Sequence, residues 1–287
     1  MKDRLFVTLQ RLMPKYLLTT LVYRIARVRV VAVKNALIRW FVALYRVDVS
    51  ELRHPVPEGY PTFNDFFIRE LADGARNFDG ADGAIASPVD GTVSAAGAIE
   101  RDQLLQAKGI RYTLQDLLAT DTPEAQQYEG GAFATIYLAP YNYHRIHAPV
   151  AGWLEAIRYV PGALYSVNDA TVRNLPGLFA RNERLVCHVS TAAGPMVVIF
   201  VGALNVGTIS SRWTGDIRPR KHGVVEQFDI DALDAGPEFN LGDTLGWFNM
   251  GSTVILLTPP GVSDAFSTLE PGTTVTAGDA IGRMVGK

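Results

Sequence analysis

One cysteine, Cys187, stands in 287 residues. That scarcity excludes an intrachain disulfide framework and a cysteine-type zinc site, and it suits a reducing compartment. Long hydrophobic runs are missing from the N-terminal segment too. Between residues 16 and 46 the longest unbroken apolar run is Trp40 to Tyr45, against the roughly 20 residues a membrane-spanning helix needs. No small-residue cleavage pattern follows, and positive charges recur throughout, so a signal peptide does not fit. Strong net charge is absent from the whole, at −2, but not from its parts. Residues 1–53 hold eleven Lys/Arg against three Asp/Glu, a balance of +8, and the remainder carries −10.

What is present begins with that basic head, which points to an anionic surface as partner. Its segment 16–46, "YLLTTLVYRIARVRVVAVKNALIRWFVALYR", is rich in Leu, Val, Ile, Trp and Phe, which favours a membrane over nucleic acid. Wound as one helix, it gathers Arg24, Arg27, Lys34, Arg39 and Arg46 within an arc of about 140°, with Arg29 outside it. The pattern predicts a helix lying in the headgroup region, with Trp40, Phe41 and Leu44 in the acyl boundary. The structural alternative is a pair of helices packed on the body.

Next, "GYPTFNDFFIRELADGAR" predicts a turn and a short helix capped by Thr62 or Asn64, with Phe63, Phe66, Phe67 and Leu71 on one side. Short β-type runs separated by Gly and Pro then dominate, among them "AFATIYL", "RLVCHV", "MVVIFVGAL", "VGTISS" and "TVILLT", with a helix near 113–120 between them. The expected fold is α+β. A β-rich barrel- or sandwich-like catalytic domain would occupy 59–287, and an amphipathic helical membrane-binding segment 1–58. The pieces "GDTLG" and "GDAIG" look similar to the biotinyl and lipoyl carrier fold, but no lysine lies in 237–262 to carry a group.

Three places could carry chemistry. Asp90 lies in "SPVDGTV", where Asp-Gly ordinarily makes a hairpin turn. His144 and His147, in "APYNYHRIHAPVAG", suggest proton chemistry; no Cys or acidic residue is near in sequence to complete a metal site. Ser252 follows Gly251 in "FNMGSTVILL", where a small residue would also suit close backbone approach. Asp90, His147 and Ser252 could form an Asp–His–Ser relay, because chain order is irrelevant to such triads. Ser252 lacks the strand–turn–helix setting of the Gly-x-Ser-x-Gly hydrolase motif, however. A serine after glycine permits another reaction: its Oγ attacks the Gly251 carbonyl, which glycine leaves uncrowded, while a His oriented by an Asp takes the hydroxyl proton. Elimination from the resulting ester cuts the chain, and the dehydroalanine at 252 tautomerises and hydrolyses to an N-terminal pyruvoyl group.

The motifs "TFNDFFIREL", "SPVDGTV", "AKGIRYTLQDLL", "YHRIHAPVAG", "YVPGALYSVN", "NLPGLFARNERLVC", "GPMVVIFVGALNVGTI" and "FNMGSTVILL" follow one another over most of the chain. In them the sequence resembles the bacterial membrane-associated, pyruvoyl-dependent phosphatidylserine decarboxylases of prokaryotic type I. The resemblance implies that Asp90, His147 and Ser252 cut the 251–252 bond, giving a large chain, 1–251, and a small chain, 252–287. The pyruvoyl group made from Ser252 would be the covalent cofactor, with no metal and no PLP. It would form a Schiff base with the amine of phosphatidylserine, and loss of CO2 would leave phosphatidylethanolamine. His144 is the expected proton donor. Tyr165, Ser166 and Asn168 offer headgroup contacts, with Ser166 carried as the candidate substrate-binding residue.

The expected location is the cell membrane, peripherally on its cytoplasmic face, with an anionic membrane surface as partner and no nucleic acid; a homodimer is compatible with this reading. Two departures stand out. Met250 replaces the usual leucine of the cleavage motif, a change that conserves volume, and Tyr141-Asn142 replaces a charged pair. On the residues alone, two other classes stay open: a lipid-directed serine hydrolase with an intact chain, and a noncatalytic membrane-bound carrier-like module.

Overall fold

The computed structural model describes residues 2–79, 83–107, 109–204, 208–220, 223–233, 235–262, 266 and 268–285. It opens with three helices, α1 (Lys2–Leu12), α2 (Lys15–Ala26) and α3 (Val31–Tyr45). The single helix drawn over 16–46 is therefore two. The break falls at "RVRV", where β-branched Val28 and Val30 are poor helix residues. There the Arg27 guanidinium also leaves the helix to lie 3.7 Å from the Tyr23 ring centroid and to donate to Asn249 Oδ1 at 3.2 Å.

Two side chains expected to face the membrane, Lys34 of the basic arc and Phe41 of the acyl boundary, turn inward instead. Lys34 Nζ donates to the Pro57 carbonyl at 3.0 Å. Phe41 is buried edge-on against Phe63, Phe66 and Phe67 of α4 (Phe63–Phe67), where aromatic packing outweighs exposure. Thr62 caps α4, its Oγ1 accepting from the Asp65 N–H at 3.1 Å. Among the described residues no helix is long and apolar enough to cross a membrane.

Four short helices follow, α5 (Leu114–Leu118), α6 (Thr122–Gln126), α7 (Asp169–Val172) and α8 (Leu178–Arg181). The rest is strand. The first nine strands are β1 (Ala84–Ala86), β2 (Gly91–Ala98), β3 (Gln103–Ala107), β4 (Ile110–Thr113), β5 (Ala132–Leu138), β6 (Arg145–His147), β7 (Gly152–Val160), β8 (Arg184–Thr191) and β9 (Gly194–Val201). After them come β10 (Ile209–Ser211), β11 (Gly215–Ile217), β12 (Glu226–Phe228), β13 (Glu238–Phe239), β14 (Thr244–Phe248), β15 (Ser252–Thr258), β16 (Thr274–Val275) and β17 (Ala280–Arg283). Residues 206 and 207, the start of the "VGTISS" run, lie outside the described residues.

A nine-stranded antiparallel sheet runs β12-β7-β8-β9-β15-β5-β2-β16, with β13 also on β7. It stays open. Its end strands β12 and β16 are three and two residues long and do not pair with each other, so the barrel form of the expectation is corrected while the α+β class holds. A four-stranded sheet, β11-β10-β14-β6, shares a core with it.

The run Val254–Leu257 shows why the layers form. Val254 and Leu256 join Val198, Phe200, Leu245 and Phe248 in the core between the two sheets. Ile255 and Leu257 join Ile199, Leu114 and Leu178 in a second core under α5 and α8. A strand covered on both faces reads as a continuous apolar run instead of an alternating one.

Candidate active site

The chain reaches Ser252 through a pinned corner. Asn249, which the sequence reading does not single out, donates from Nδ2 to Ser210 Oγ at 2.8 Å and to Thr208 Oγ1. Its Oδ1 accepts from Asn64 Nδ2 at 2.9 Å and from Arg27 at 3.2 Å. Met250 then packs on the aromatic cluster of α3 and α4 with φ at 155°, a value L-residues seldom adopt. Gly251 stands clear: a Cβ there would meet only the Leu138 carbonyl oxygen, at 3.9 Å. Ser252 opens β15 opposite Leu138 of β5, while pairing to β9 begins one residue later, at Thr253. Its Oγ is buried without a hydrogen-bond partner among the described residues. Such a hydroxyl is costly to leave unpaired and is a candidate for chemistry.

His144 and His147 sit on opposite sides of one short segment. His144 is fully buried, with its ring centroid 4.2 Å from that of Phe67. Its Nδ1 donates to the Asn142 carbonyl at 2.8 Å, because a carbonyl can only accept. Nε2 therefore carries the lone pair, and it has no partner among the described residues. Burial, with the Arg69 guanidinium second, pushes this imidazole down to about 3. Arg69 also holds the segment by donating to the carbonyls of Tyr141 at 2.9 Å and Asn142 at 3.0 Å.

His147 ends β6, its N–H donating to the Pro88 carbonyl at 2.8 Å. Its Nδ1 donates to the Gly242 carbonyl at 2.6 Å, and its Nε2 accepts from the Tyr143 hydroxyl at 2.9 Å. Burial holds this imidazole below its ordinary value as well.

Asp90 lies where the Pro88 contact brings the β1–β2 turn against His147. The glycine after it is needed for close approach, since a Cβ on Gly91 would lie 2.5 Å from the Tyr137 carbonyl oxygen. Arg76 grips Asp90 through Nε at 3.0 Å and Nη2 at 2.5 Å, and the Ala277 N–H reaches it at 2.9 Å. The expected relay is thus gathered but not joined. Asp90 and His147 are neighbours without a hydrogen bond between them, and Ser252 Oγ bonds neither histidine.

Two cavities flank the 140–143 turn. One, of about 230 Å³, is lined by Met250, Gly251, Ser166, Phe67 and, from the N-terminal helices, Phe41 and Tyr45. The other, of about 240 Å³, is lined by Asp90, Arg76, Arg69 and Tyr143. Of the three headgroup candidates, Ser166 faces the cavity at Gly251, its N–H donating to Gln10 Oε1 at 2.8 Å. Asn168 instead caps α7, and the Tyr165 ring lies under Lys15 Nζ at 4.2 Å. Arg76, Tyr143, Gly242 and Asn249 are the site neighbours that sequence reading passes over. Only Asn249 leaves a trace there, as an amide just before the small residues of the cleavage motif.

A family model described as phosphatidylserine decarboxylase matches residues 63–283, and a second, described as PSD, matches 5–46. Among curated relatives, a protein of Methylococcus capsulatus is 44% identical over 279 residues, covering 97% of this chain and 96% of its own length. One of Acidovorax ebreus is 45% identical over 286 residues, with 100% of both covered, and one of Marinobacter nauticus is 43% identical over 285 residues, with 99% of both covered. Each is named phosphatidylserine decarboxylase proenzyme. With the family model matching residues 63–283 and these relatives matching nearly end to end, the chain belongs to the phosphatidylserine decarboxylase family.

Proposed function

We propose that this protein is a self-processing carboxy-lyase that converts phosphatidylserine to phosphatidylethanolamine and CO2. The observation that carries the reading is the buried Ser252 hydroxyl, unpartnered among the described residues, beside an uncrowded Gly251 that lines a cavity. In self-cleavage His147, neutral at Nε2, takes the Ser252 proton while Oγ attacks the Gly251 carbonyl. For this the Tyr143 hydroxyl must leave Nε2. Burial pushes that phenol up to about 12, so it remains a donor until then. Asp90 supplies the negative charge that favours the resulting imidazolium. Elimination separates residues 1–251 from 252–287.

A pyruvoyl group at 252 fits the residues around it, because the position is buried, uncrowded on the 251 side and adjoins Gly251, which lines a cavity. Once formed, it supplies the carbonyl that binds the substrate amine and the electron sink for decarboxylation. His144 serves as the proton carrier. Its Nδ1–H is committed to the Asn142 carbonyl, so Nε2 is the nitrogen through which a proton returns to the α-carbon, once the anionic headgroup offsets the burial and the Arg69 charge that otherwise hold the imidazole low. Ser166 contacts the headgroup from the cavity wall, and the apolar side chains around it exclude water.

Segment 1–58 forms the membrane face, at the periphery of an anionic bilayer on its cytoplasmic side. Leu5, Leu9, Leu17, Leu21, Trp40 and Leu44 are exposed there, with Arg4, Arg11, Arg24 and Arg29 exposed among them. The deciding experiment is the intact mass of the purified chain. Two polypeptides from the wild type and one full-length, inactive polypeptide from Ser252→Ala are expected; an active, uncut wild type would overturn the reading in favour of a serine hydrolase.

A further inference from the structure

We infer that Arg76 is the positioning residue for Asp90, and that both the rate and the pH dependence of self-cleavage run through its guanidinium. The inference rests on the self-cleavage reading above. The geometry is a side-on fork: Nε donates to Asp90 Oδ1 at 3.0 Å and Nη2 to Oδ2 at 2.5 Å. A bidentate guanidinium–carboxylate pair fixes direction as well as distance, which a lysine cannot do. The remaining Nη1 is braced by Glu51 Oε2 at 3.0 Å and by the Ala75 carbonyl at 2.7 Å, so the fork itself cannot turn. The Ala277 N–H completes the hold on Oδ1 at 2.9 Å. That amide belongs to the proposed small chain, so one carboxylate of the large chain is held by both products of the cut.

Position is half of the role, and charge is the other half. The groups facing His147 are Asp90, Arg76, the Tyr143 hydroxyl and, on its own strand, Arg145. Asp243 precedes the strand partner Thr244 and is itself paired with Arg212 at 3.6 Å; the exposed Asp79 follows Phe78, whose ring packs on the imidazole. Burial lowers the His147 imidazole most. Arg145 and then Arg76 push it the same way, and the Gly242 carbonyl and Asp90 oppose them. Loss of the Arg76 charge therefore raises the pH at which His147 is neutral. A purely structural arginine would leave that pH in place.

The test uses the full chain made by cell-free translation, with cleavage followed by intact mass from pH 5.5 to 9. Arg76→Gln should slow cleavage about 100-fold and move its acid limb to higher pH, whereas Arg76→Lys should slow it only about tenfold and keep the wild-type limb. An unmoved acid limb in Arg76→Gln overturns the inference whatever its rate, and so does a wild-type rate. If Arg76→Gln yields no folded chain by thermal melting, Arg76→Lys decides: a wild-type rate or a displaced limb overturns the inference. Failure of the underlying reading shows differently, as an unsubstituted chain that stays whole at every pH.

Discussion

His144 and His147 hold the same tautomer for the same reason: each Nδ1 donates to a backbone carbonyl, which leaves the lone pair on Nε2. They differ in what meets that lone pair. His147 receives the Tyr143 hydroxyl, and fully buried His144 receives nothing from the described residues. His144→Ala should therefore leave the chain able to cut itself while lowering decarboxylation by about 100-fold or more. Intact mass and CO2 release, measured on one preparation, separate the two effects; loss of cleavage would show that His144 belongs to the first reaction. Met250 packs on the α3–α4 aromatic cluster, where leucine has nearly the same volume. Restoring it with Met250→Leu should change the cleavage rate by less than about tenfold. Gly251 and Ser252 were legible in the sequence because their chemistry is local. Arg76 and Asn249 were not, because each matters through a partner distant in the chain, Asp90 for one and Asn64 for the other.

Amphipathic helices were legible for their composition but not for their partition into inside and outside. The segment read as one helix is two, and the break at the β-branched "RVRV" is accompanied in the folded protein by contacts of Arg27 with Tyr23 and Asn249. The outward rows keep Leu17 and Leu21 of α2 and Trp40 of α3 exposed. If these rows meet the bilayer, Leu17→Gln combined with Leu21→Gln should weaken binding to vesicles containing phosphatidylglycerol. The loss should be about 100-fold, since burying each leucine contributes about 1.5–3 kcal/mol. Self-cleavage should be unchanged, because neither side chain lines the cavity at Gly251. Vesicle sedimentation alongside intact mass checks both, and undiminished binding would exclude α2 from the membrane face. The strand at 252–258 was plain from its apolar run; its place between β9 and β5 was not, because pairing is a property of two segments.

A cut at 251–252 would leave the assembled molecule whole. Strand β15 lies inside the nine-stranded sheet, β16 pairs with β2, and β17 pairs with β1 in a sheet of its own. The two proposed products should therefore co-elute in native gel filtration and separate only in denaturant; a freely eluting small chain would contradict this. Stability should also depend on pH through Glu183, which is fully buried and has one carboxylate oxygen bonded to the Tyr159 hydroxyl and the other without a partner among the described residues. Burial pushes its carboxyl up to about 8. Between the ordinary carboxyl range and that value the folded chain holds a proton that the unfolded chain has lost, so stability falls as pH rises through this window. The slope reaches at most about 1.4 kcal/mol per pH unit. Glu183→Gln should remove it, as read by urea unfolding of the uncut Ser252→Ala chain between pH 5 and 8.

The sequence by itself determined the apolar runs, the glycine–serine bond, the family motifs and the basic head, because each is written in neighbouring residues. Only the tertiary structure decided that the sheet stays open, that Phe41 and Lys34 face inward, and that Arg76 grips Asp90. Those outcomes depend on which surfaces meet after folding, and burial and pairing across long chain separations have no local signature.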